Sequence, residues 1–197
     1  MIYETLEIVM DQITKYLDTK PNDDSVLVLE NIAKQDDVTV LRLKDRVAVS
    51  LLNMEEESTL RNIPNTSFKD GKTIYKNNKV NLNLYVLFAA NRTAYDKALV
   101  SINNIVEFFQ SKKVFTQVNT PFTPTSTIFD ELKEFKFIVD LYTPTFEQLN
   151  YIWGTLGGKS VPSVLYKISI IEIESDNMND TGQPITNVVG VLKESTI

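Results

Sequence analysis

Cysteine and histidine, two residue types that often carry chemistry in proteins, are absent from this sequence of 197 residues. Without cysteine the chain can form no disulfide, thiolate metal site or cysteine nucleophile, and an intracellular origin is favoured over secretion. Without histidine it cannot build a Ser-His-Asp or Cys-His site, and the common zinc and iron ligand sets are excluded as well. No cofactor is therefore expected.

A surplus of positive charge and a long apolar run are missing too. The chain has 20 Lys and Arg against 26 Asp and Glu, which gives a formal net charge of -6. Lysine and arginine supply most of the affinity of proteins for phosphate backbones, so no nucleic-acid partner is expected. The N-terminal stretch MIYETLEIVMDQITKYLDTK lacks the apolar core of a signal peptide, and no segment is long enough to span a membrane. We expect a soluble protein that is made in the cytoplasm and does not insert directly into a membrane.

Several regular apolar patterns are present. Hydrophobic residues make up 43% of the chain, which is enough for the core of one domain. In the segment 80–115, an alternating strand leads into an amphipathic helix and a second strand. Other patterns predict a helix at Ile2 to Leu17, a strand at 132–142, a capped helix from Thr145 to Gly157 and a strand at 164–173. The predicted fold class is α+β, with a mixed, mostly antiparallel sheet flanked by about three helices.

The helix in the segment 80–115 has a predicted N-cap and a predicted apolar face. Thr93 is a suitable N-cap residue. The helical period predicts a face that covers the sheet, made of Tyr95, Ala98, Leu99, Ile102, Ile105, Val106 and Phe109. It predicts a polar opposite side, made of Asp96, Lys97, Asn103, Asn104 and Glu107.

Two segments lack such patterns and are rich in polar residues. Residues 61–79 are predicted to form a long exposed loop, and loops of that length in compact domains are often functional. Residues 175–197 are predicted to form a C-terminal tail outside a domain of residues 1–174. This tail could act as an arm that pairs with a neighbouring subunit.

Three short motifs suggest ligand binding, but each has a simpler interpretation. Gly157–Ser160 (GGKS) is similar to the end of a phosphate-binding loop, yet Trp153 stands where that motif needs its first glycine, so a helix C-cap is predicted. Asp176–Gly182 is similar to a calcium loop but lacks oxygen ligands at the required alternate positions, so a polar turn is predicted. The run Glu55–Glu57 is predicted to be a solvated charge run, since three successive side chains cannot converge on one ion.

Three segments taken together resemble one protein family. They are Asn53 to Asn62 (NMEEESTLRN), Asn81 to Phe115, and Tyr151 to Gly157 with Val161 to Tyr166. In this order, and with the initial MIYETLEIV, they resemble the tail-cap family of phage-tail-like contractile injection systems, of the Photorhabdus virulence cassette and antifeeding prophage type. The resemblance extends to about Glu174.

The resemblance implies a tail terminator: an α/β subunit of a six-fold ring on the distal end of a tube and sheath, which stops polymerisation and fixes length. Its implied partners are other copies of itself, in a homo-hexameric ring, and the terminal tube and sheath subunits. The family carries no catalytic residues, so no enzyme activity is expected. Assembly in the cytoplasm is implied, whether the particle is later released or anchored.

Two alternatives stay open at this point. A terminator or head–tail connector of a contractile phage would belong to the same kind of assembly. An enzyme with an unrecognised carboxylate site belongs to a different class, and it would need a deep pocket lined by two or more acidic residues.

The candidate interface residues are polar: Glu57, Arg61, Asn81 and Asn83. The first two could form a polar pair near a subunit or sheath contact, and the two asparagines are predicted at a rim of the sheet. Trp153 and Tyr166 are predicted packing anchors that hold the last helix on the last strand. The sequence nominates no catalytic, cofactor-binding or metal-binding residue.

Overall fold

The computed structural model describes residues 2–21, 23–37, 41–60, 66–69, 72–76, 80–122, 135–173 and 178–182. The α-helices within these ranges are α1 (Ile2–Leu17), α2 (Tyr95–Ser111) and α3 (Phe146–Thr155). The strands are β1 (Leu27–Leu29), β2 (Arg46–Glu56), β3 (Thr66–Lys69), β4 (Lys72–Lys76), β5 (Val80–Asn91), β6 (Val114–Thr116), β7 (Lys136–Tyr142), β8 (Ser163–Ile173) and β9 (Met178–Gly182). Short 3-10 helices occupy Ile32–Lys34, Leu41–Leu43 and Ser58–Leu60.

Six strands form the main sheet, in the order β1-β2-β5-β8-β7-β6. β1 runs parallel to β2, and every other neighbouring pair is antiparallel. The three central strands β2, β5 and β8 are long, with 11, 12 and 11 residues. The structure confirms the predicted α+β class, with a mixed, mostly antiparallel sheet and three α-helices in the described ranges.

A second sheet has three strands in the order β3-β4-β9. In the chain, β3 follows β2, β4 precedes β5 and β9 follows β8. Because β2, β5 and β8 are antiparallel neighbours, these three connections lie at the same end of the main sheet. The prediction of one long loop over 61–79 was wrong, because β3 and β4 pair as an antiparallel hairpin. The many lysines and asparagines of this segment hid the alternating Thr66 and Phe68 and the alternating Thr73 and Tyr75, residue types that favour strands.

The C-terminal segment contributes the last strand of this small sheet. β9 pairs with β4 of the same chain, so the polar turn predicted at Asp176–Gly182 was wrong for residues 178–182. Residues 183–197 lie outside the described residues, and the predicted arm stays a prediction.

Helices α1 and α2 cover one face of the main sheet. α1, predicted at Ile2 to Leu17, buries Leu6, Val9 and Ile13, an apolar stripe at helical spacing. Between α2 and the sheet, the ring centroid of Phe109 in α2 lies 4.2 Å from that of Tyr166 in β8 and 5.6 Å from that of Phe88 in β5. Full burial of each such side chain contributes about 1.5–3 kcal/mol to folding, so this layer is the principal source of stability on this face.

Helix α3 packs on the opposite face of the sheet. Its Trp153 is 5% exposed and lies in a buried apolar cluster with residues of β2, β5 and β8: Ala48, Leu87, Ala89 and Leu165. The predicted capping box is present, since Thr145 Oγ1 accepts from Gln148 N at 3.2 Å and Gln148 Oε1 accepts from Thr145 N at 3.0 Å. Gly157 ends the helix with a φ of 101°, as the C-cap interpretation predicted.

Helix α2 is rotated relative to the prediction. Tyr95 and Leu99 are 69% and 49% exposed, whereas Asn104, predicted on the polar side, is buried. Asn104 Nδ2 donates to Asp23 Oδ2 at 2.8 Å, and Ser101 Oγ lies 2.6 Å from Ser25 Oγ. The polar segment 23–25 satisfies these side chains, so hydrogen bonding offsets the cost of burying them and shifts the buried face.

The start of α2 also differs from the prediction. The N-cap residue is Ala94, which makes no side-chain capping bond. Thr93 N instead donates to Asp45 Oδ1 at 2.9 Å, and Asp45 forms an ion pair with the Arg92 guanidinium at 3.3 Å. A charged turn therefore replaces the predicted threonine cap.

Candidate assembly surface

The face of the main sheet that carries α3 has an apolar half and a polar half. In register beyond the apolar cluster, Asn53 of β2 is opposite Tyr85 of β5, Tyr85 is opposite Lys167 of β8, and Lys167 is opposite Asp140 of β7. Residues paired in this way point to the same face of a sheet. We call this region the polar half; its members are Asn53, Glu55, Glu57, Asn81, Asn83, Tyr85, Asp140 and Lys167.

Glu57 is held at the end of β2 by neighbours on two elements. Its Oε1 accepts from Thr59 Oγ1 at 2.6 Å, its Oε2 accepts from Asn83 Nδ2 at 2.9 Å, and its backbone N donates to Asn81 O at 2.8 Å. Hydrogen bonds from the Thr59 hydroxyl and the Asn83 amide, with the Thr59 N–H and the Lys167 charge, lower the pKa of Glu57 to about 2. Glu57 is therefore a fixed negative charge at neutral pH.

Glu55 and Tyr85 form a second polar contact in this half. Tyr85 Oη donates to Glu55 Oε2 at 2.8 Å, and this bond to a carboxylate, together with burial, raises the pKa of Tyr85 to about 12. The Tyr85 ring also packs edge-on against Tyr142, with centroids 5.2 Å apart. Glu55 itself is exposed, so its charge is positioned and still accessible.

The two predicted asparagines lie on an inner strand rather than at a rim. β5 pairs with β2 and β8 along its length, and Asn81 and Asn83 are 6% and 2% exposed. The prediction of a rim position was wrong because the alternating start of β5 signalled a polar face, not an edge. Asn83 Oδ1 is buried and has no hydrogen-bond partner among the described residues, where the amide makes one side-chain bond, to Glu57.

The remaining predicted positions are separated from each other. Arg61 lies outside the described residues, so the predicted Glu57–Arg61 pair stays a prediction. Trp153 and Tyr166 are both buried but lie on opposite faces of the sheet, Trp153 under α3 and Tyr166 under α2. The prediction that both hold the last helix on the last strand is corrected here, because it is Leu165, the neighbour of Tyr166 in β8, that faces α3.

Sequence reasoning missed Tyr85, Glu55 and Lys167 as members of the polar half. Tyr85 stands beside an apolar run and was not distinguished from it. The usable signal was the spacing of Asn53, Glu55 and Glu57, which places all three on one side of an extended chain.

A cavity of about 370 Å³ lies elsewhere, near the start of α2, and bears on the enzyme alternative. Its lining includes Asp36, Asp37, Asp45 and Arg92. Asp36 pairs with Lys159 at 2.7 Å, and the Thr93 N–H lowers the pKa of Asp45, with a smaller contribution from the Arg92 charge. A glycosidase-type acid needs a raised pKa, so Asp45 does not fit that role, and we assign no reaction to the cavity.

Membrane-spanning helices and metal-binding clusters are both absent from the described residues. None of the helices there has the length and apolar character that crossing a bilayer requires. In the same ranges, no three acidic side chains are grouped so that they could hold a metal ion.

Comparison with known proteins gives a matching family and similar solved structures. The family described as Pvc16 N-terminal domain matches residues 4–187. A search of curated protein sequences finds no match. The chain is similar to the sheath/tube terminator, in the extended state, of the extracellular contractile injection system PVC, with a TM-score of 0.62 and 14% identity over 100% of this chain. It is also similar to the anti-feeding prophage cap, a tube-terminating cap, with a TM-score of 0.56 and 15% identity over 92% of this chain.

These matches confirm the family resemblance and the terminator-like fold predicted from the sequence. At 14% and 15% identity the two structures establish the fold alone. The family match extends past residue 174, to residue 187. The chain spans 64% and 59% of the length of those two chains, so each neighbour is longer than the part that matches.

Proposed function

The chain belongs to the Pvc16 N-terminal domain family, and from that premise we propose that it is a structural cap of a contractile injection system. In this role it sits on the distal end of the tube and sheath, ends their polymerisation and fixes their length. Its function is binding geometry, so it needs surfaces rather than a reaction centre.

One observation carries the proposal: the fold of the whole chain superimposes on a sheath/tube terminator with a TM-score of 0.62. A second neighbour, the anti-feeding prophage cap, is also a tube-terminating cap. Both neighbours are structural cap proteins, which supports a non-enzymatic role. Both come from injection systems, which supports this candidate over the contractile-phage terminator.

The proposed partners are other copies of this chain, in a homo-hexameric ring, and the last tube and sheath subunits. A ring needs a head-to-tail contact between two different patches of each subunit, whereas a two-fold contact would stop at a dimer. The polar half and the small sheet supply distinct surfaces at one end of the molecule. The net charge of -6 does not favour a nucleic-acid partner, and assembly in the cytoplasm stays a prediction.

Negative-stain microscopy of the purified protein, alone and mixed with tube–sheath particles made without a cap, tests the proposal. We expect six-fold rings and density on one end of each particle, with a narrower distribution of particle lengths when the protein is present during assembly. A protein that never decorates particle ends and leaves their lengths unchanged would refute the cap function.

A further inference from the structure

Two carboxylates of the polar half have no cationic partner. Glu55 accepts from Tyr85 Oη, and Glu57 accepts from Thr59 and Asn83, so the donors that hold both carboxylates are uncharged. Among the ion pairs that join described residues, none includes Glu55 or Glu57. Because the chain is extended there, the two carboxylates lie on the same face of the sheet, two residues apart.

The cation of the polar half does not neutralise this face. Lys167 lies in register between Tyr85 and Asp140. No ion pair in the described part of the chain joins Lys167 to Glu55 or Glu57. The members of the polar half include three carboxylates and one ammonium group, so the surface keeps a net negative charge.

The Asn83 amide lacks a donor at the same place. Its Nδ2 donates to Glu57 Oε2 at 2.9 Å, which fixes its orientation, because the reverse orientation would bring two acceptors together. Asn83 is 2% exposed, and its Oδ1 has no donor among the described residues. A buried acceptor is costly to leave unpaired. Two carboxylates and this amide oxygen indicate a ligand that is positively charged and donates hydrogen bonds.

Lys112 and Lys113 carry positive charge without a carboxylate partner in the described part of the chain. Lys112 Nζ donates to Gln12 Oε1 at 2.9 Å and to Asn119 O at 3.0 Å, which are both uncharged acceptors. Burial and the Lys15 charge lower the pKa of Lys112, and Lys113 is exposed. Five other lysines each pair with a carboxylate: Lys15, Lys20, Lys34, Lys97 and Lys159.

These two lysines lie across the main sheet from the carboxylates, at the same level. One register line crosses the four inner strands at Met54 of β2, Leu84 of β5, Ile168 of β8 and Val139 of β7. Val139 N donates to Lys113 O at 2.8 Å, where the chain enters β6, an outer strand. Glu55 directly follows Met54. One side of the sheet therefore carries the carboxylates, and the opposite side carries the lysines.

Charge and position favour a contact between these unlike sides. β1 pairs with β2 at Val47–Val49, so in the described ranges no strand lies beyond β2 at the level of Glu55. A two-fold contact through this side would bring the carboxylates of two copies together, and like charges across an interface are unfavourable. A head-to-tail contact brings the carboxylates of one copy to the lysines of the next, and such a contact can close into a ring.

We infer that the ammonium group of Lys113 binds between Glu55 and Glu57 of the next copy in the ring. An ammonium group donates three hydrogen bonds, so it can serve both carboxylates and the amide oxygen of Asn83. Because the carboxylates are fixed before binding, less side-chain freedom is lost. The charges set which surfaces meet more than they set the affinity. The inference rests on the proposed ring, and it names what one copy contributes to the polar half of its neighbour.

The first test exchanges the charges. Glu55→Lys and Lys113→Glu should each raise the dissociation constant of the ring at least about tenfold, because each brings like charges together. The combined variant Glu55→Lys/Lys113→Glu should recover most of this loss. Light scattering over a concentration series measures assembly, and circular dichroism checks that each variant is folded.

Glu147→Lys is the matched control for Glu55→Lys. Glu147 is exposed on α3 and accepts from a tyrosine, Tyr151 Oη, at 3.3 Å, as Glu55 accepts from Tyr85 Oη at 2.8 Å. The control therefore makes the same change of charge and loses the same kind of hydrogen bond. It should leave assembly unchanged.

The second test uses the unaltered sequence, so it does not depend on how the variants fold. A carbodiimide joins a carboxylate to an amine where the two groups touch, and it should link Glu55 or Glu57 to Lys113. Rings are assembled from a mixture of isotope-labelled and unlabelled copies. Mass spectrometry should then find linked peptides with one labelled and one unlabelled half, which form only between copies.

The outcomes separate the contact from the cap function. Unchanged assembly of Glu55→Lys and Lys113→Glu, no recovery in a folded combined variant, or no mixed-isotope link would overturn the inferred contact. A chain that stays monomeric both alone and on particles would overturn it too. So would intact Glu55→Lys rings that no longer bind particle ends, because the cation would then come from the tube or sheath.

The cap function has its own outcome. Rings that depend on Glu55 and Lys113 but do not bind particle ends would overturn the cap function and leave the contact in place. Rings that bind particle ends and contain the mixed-isotope links would support both.

Discussion

The two halves of the sheet face that carries α3 use the same strands for different purposes. Under α3, Leu87 and Leu165 pack against Trp153 in a closed apolar cluster. A few residues away in β5 and β8, Tyr85 and Lys167 face the same side; both are half-buried, Tyr85 packs at the border of the apolar cluster, and Glu55 is exposed beside them. The difference lies in what covers the strands, since both halves keep the same pleat.

The comparison indicates a division between holding the fold and presenting a surface. The apolar half gains stability from area removed from water and tolerates little change in shape. The polar half contains hydrogen-bonded carboxylates, whose net contribution to stability is small. A subunit that works by binding its neighbours needs both halves. The rigid half fixes the strands, and the accessible half lies on the same strands.

The largest expected effect comes from breaking the apolar half. Trp153→Ala should lower the free energy of unfolding by about 3–5 kcal/mol, because it removes a large buried side chain and leaves a cavity beneath α3. Urea denaturation followed by circular dichroism measures this, since Trp153 is the only tryptophan and its fluorescence is lost with it.

An aromatic residue of the same helix provides the control. Phe146 is 91% exposed, so Phe146→Ala should change stability by no more than about 0.5 kcal/mol. Equal losses for the two variants would contradict the assignment of stability to the apolar half.

The next largest effect tests whether the position of Asn83, beside Glu57, requires an uncharged side chain. Asn83→Asp would place a second carboxylate beside Glu57 in a site that is 2% exposed and should cost about 3 kcal/mol at neutral pH. Asn83→Ala, which only removes the bond to Glu57, should cost about 1 kcal/mol. Urea midpoints of both variants give these values.

Acidification distinguishes charge repulsion from a packing defect in Asn83→Asp. Burial and the Glu57 charge should raise the pKa of the new carboxyl in the folded chain above that of an ordinary aspartate. Once protonated it is neutral and can donate to Glu57, so the deficit relative to the wild type should shrink as the pH falls through that raised pKa and be smallest by about pH 4, where the unfolded chain takes up the proton too. A deficit that is independent of pH would show that shape rather than charge is recognised at this position.

Much of the apolar framework was predictable because it is periodic. The stripe of α1, the capping box at Thr145 and Gln148, and the long strand β8 each have a local signal that tertiary structure did not override. The β3–β4 hairpin was missed because its composition resembles a loop, and its pairing with β9 joins segments far apart in the chain.

The rotation of α2 and the polar half were not predictable from local patterns. The buried Asn104 is satisfied by Asp23, about eighty residues away, and no helical period reveals such a partner. The low pKa of Glu57 depends first on Thr59, two residues along the chain, and then on Asn83 of the adjacent strand, a partner that no local pattern reveals.

The smallest expected effect concerns the pH dependence that Glu57 confers. Its pKa of about 2 in the folded chain lies below the ordinary value of 4.5, so the unfolded chain takes up a proton first as the pH falls. The stabilisation from Glu57 is therefore complete above pH 4.5 and is lost between about 4.5 and 2. Glu57→Gln should remove this part of the acid dependence, so that its urea midpoints approach those of the wild type at low pH.

Thr59→Ala sharpens that measurement, because it keeps the carboxylate and removes the largest cause of its low pKa. With the Asn83 bond still present, the pKa of Glu57 should rise only part of the way toward its ordinary value, and the acid dependence should lie between those of the wild type and Glu57→Gln. Parallel curves for all three proteins would mean that Glu57 titrates alike in the folded and unfolded chains. The polar half would then owe its arrangement to the strands alone, and the stabilisation of the Glu57 carboxylate by Thr59 and Asn83 would have to be abandoned.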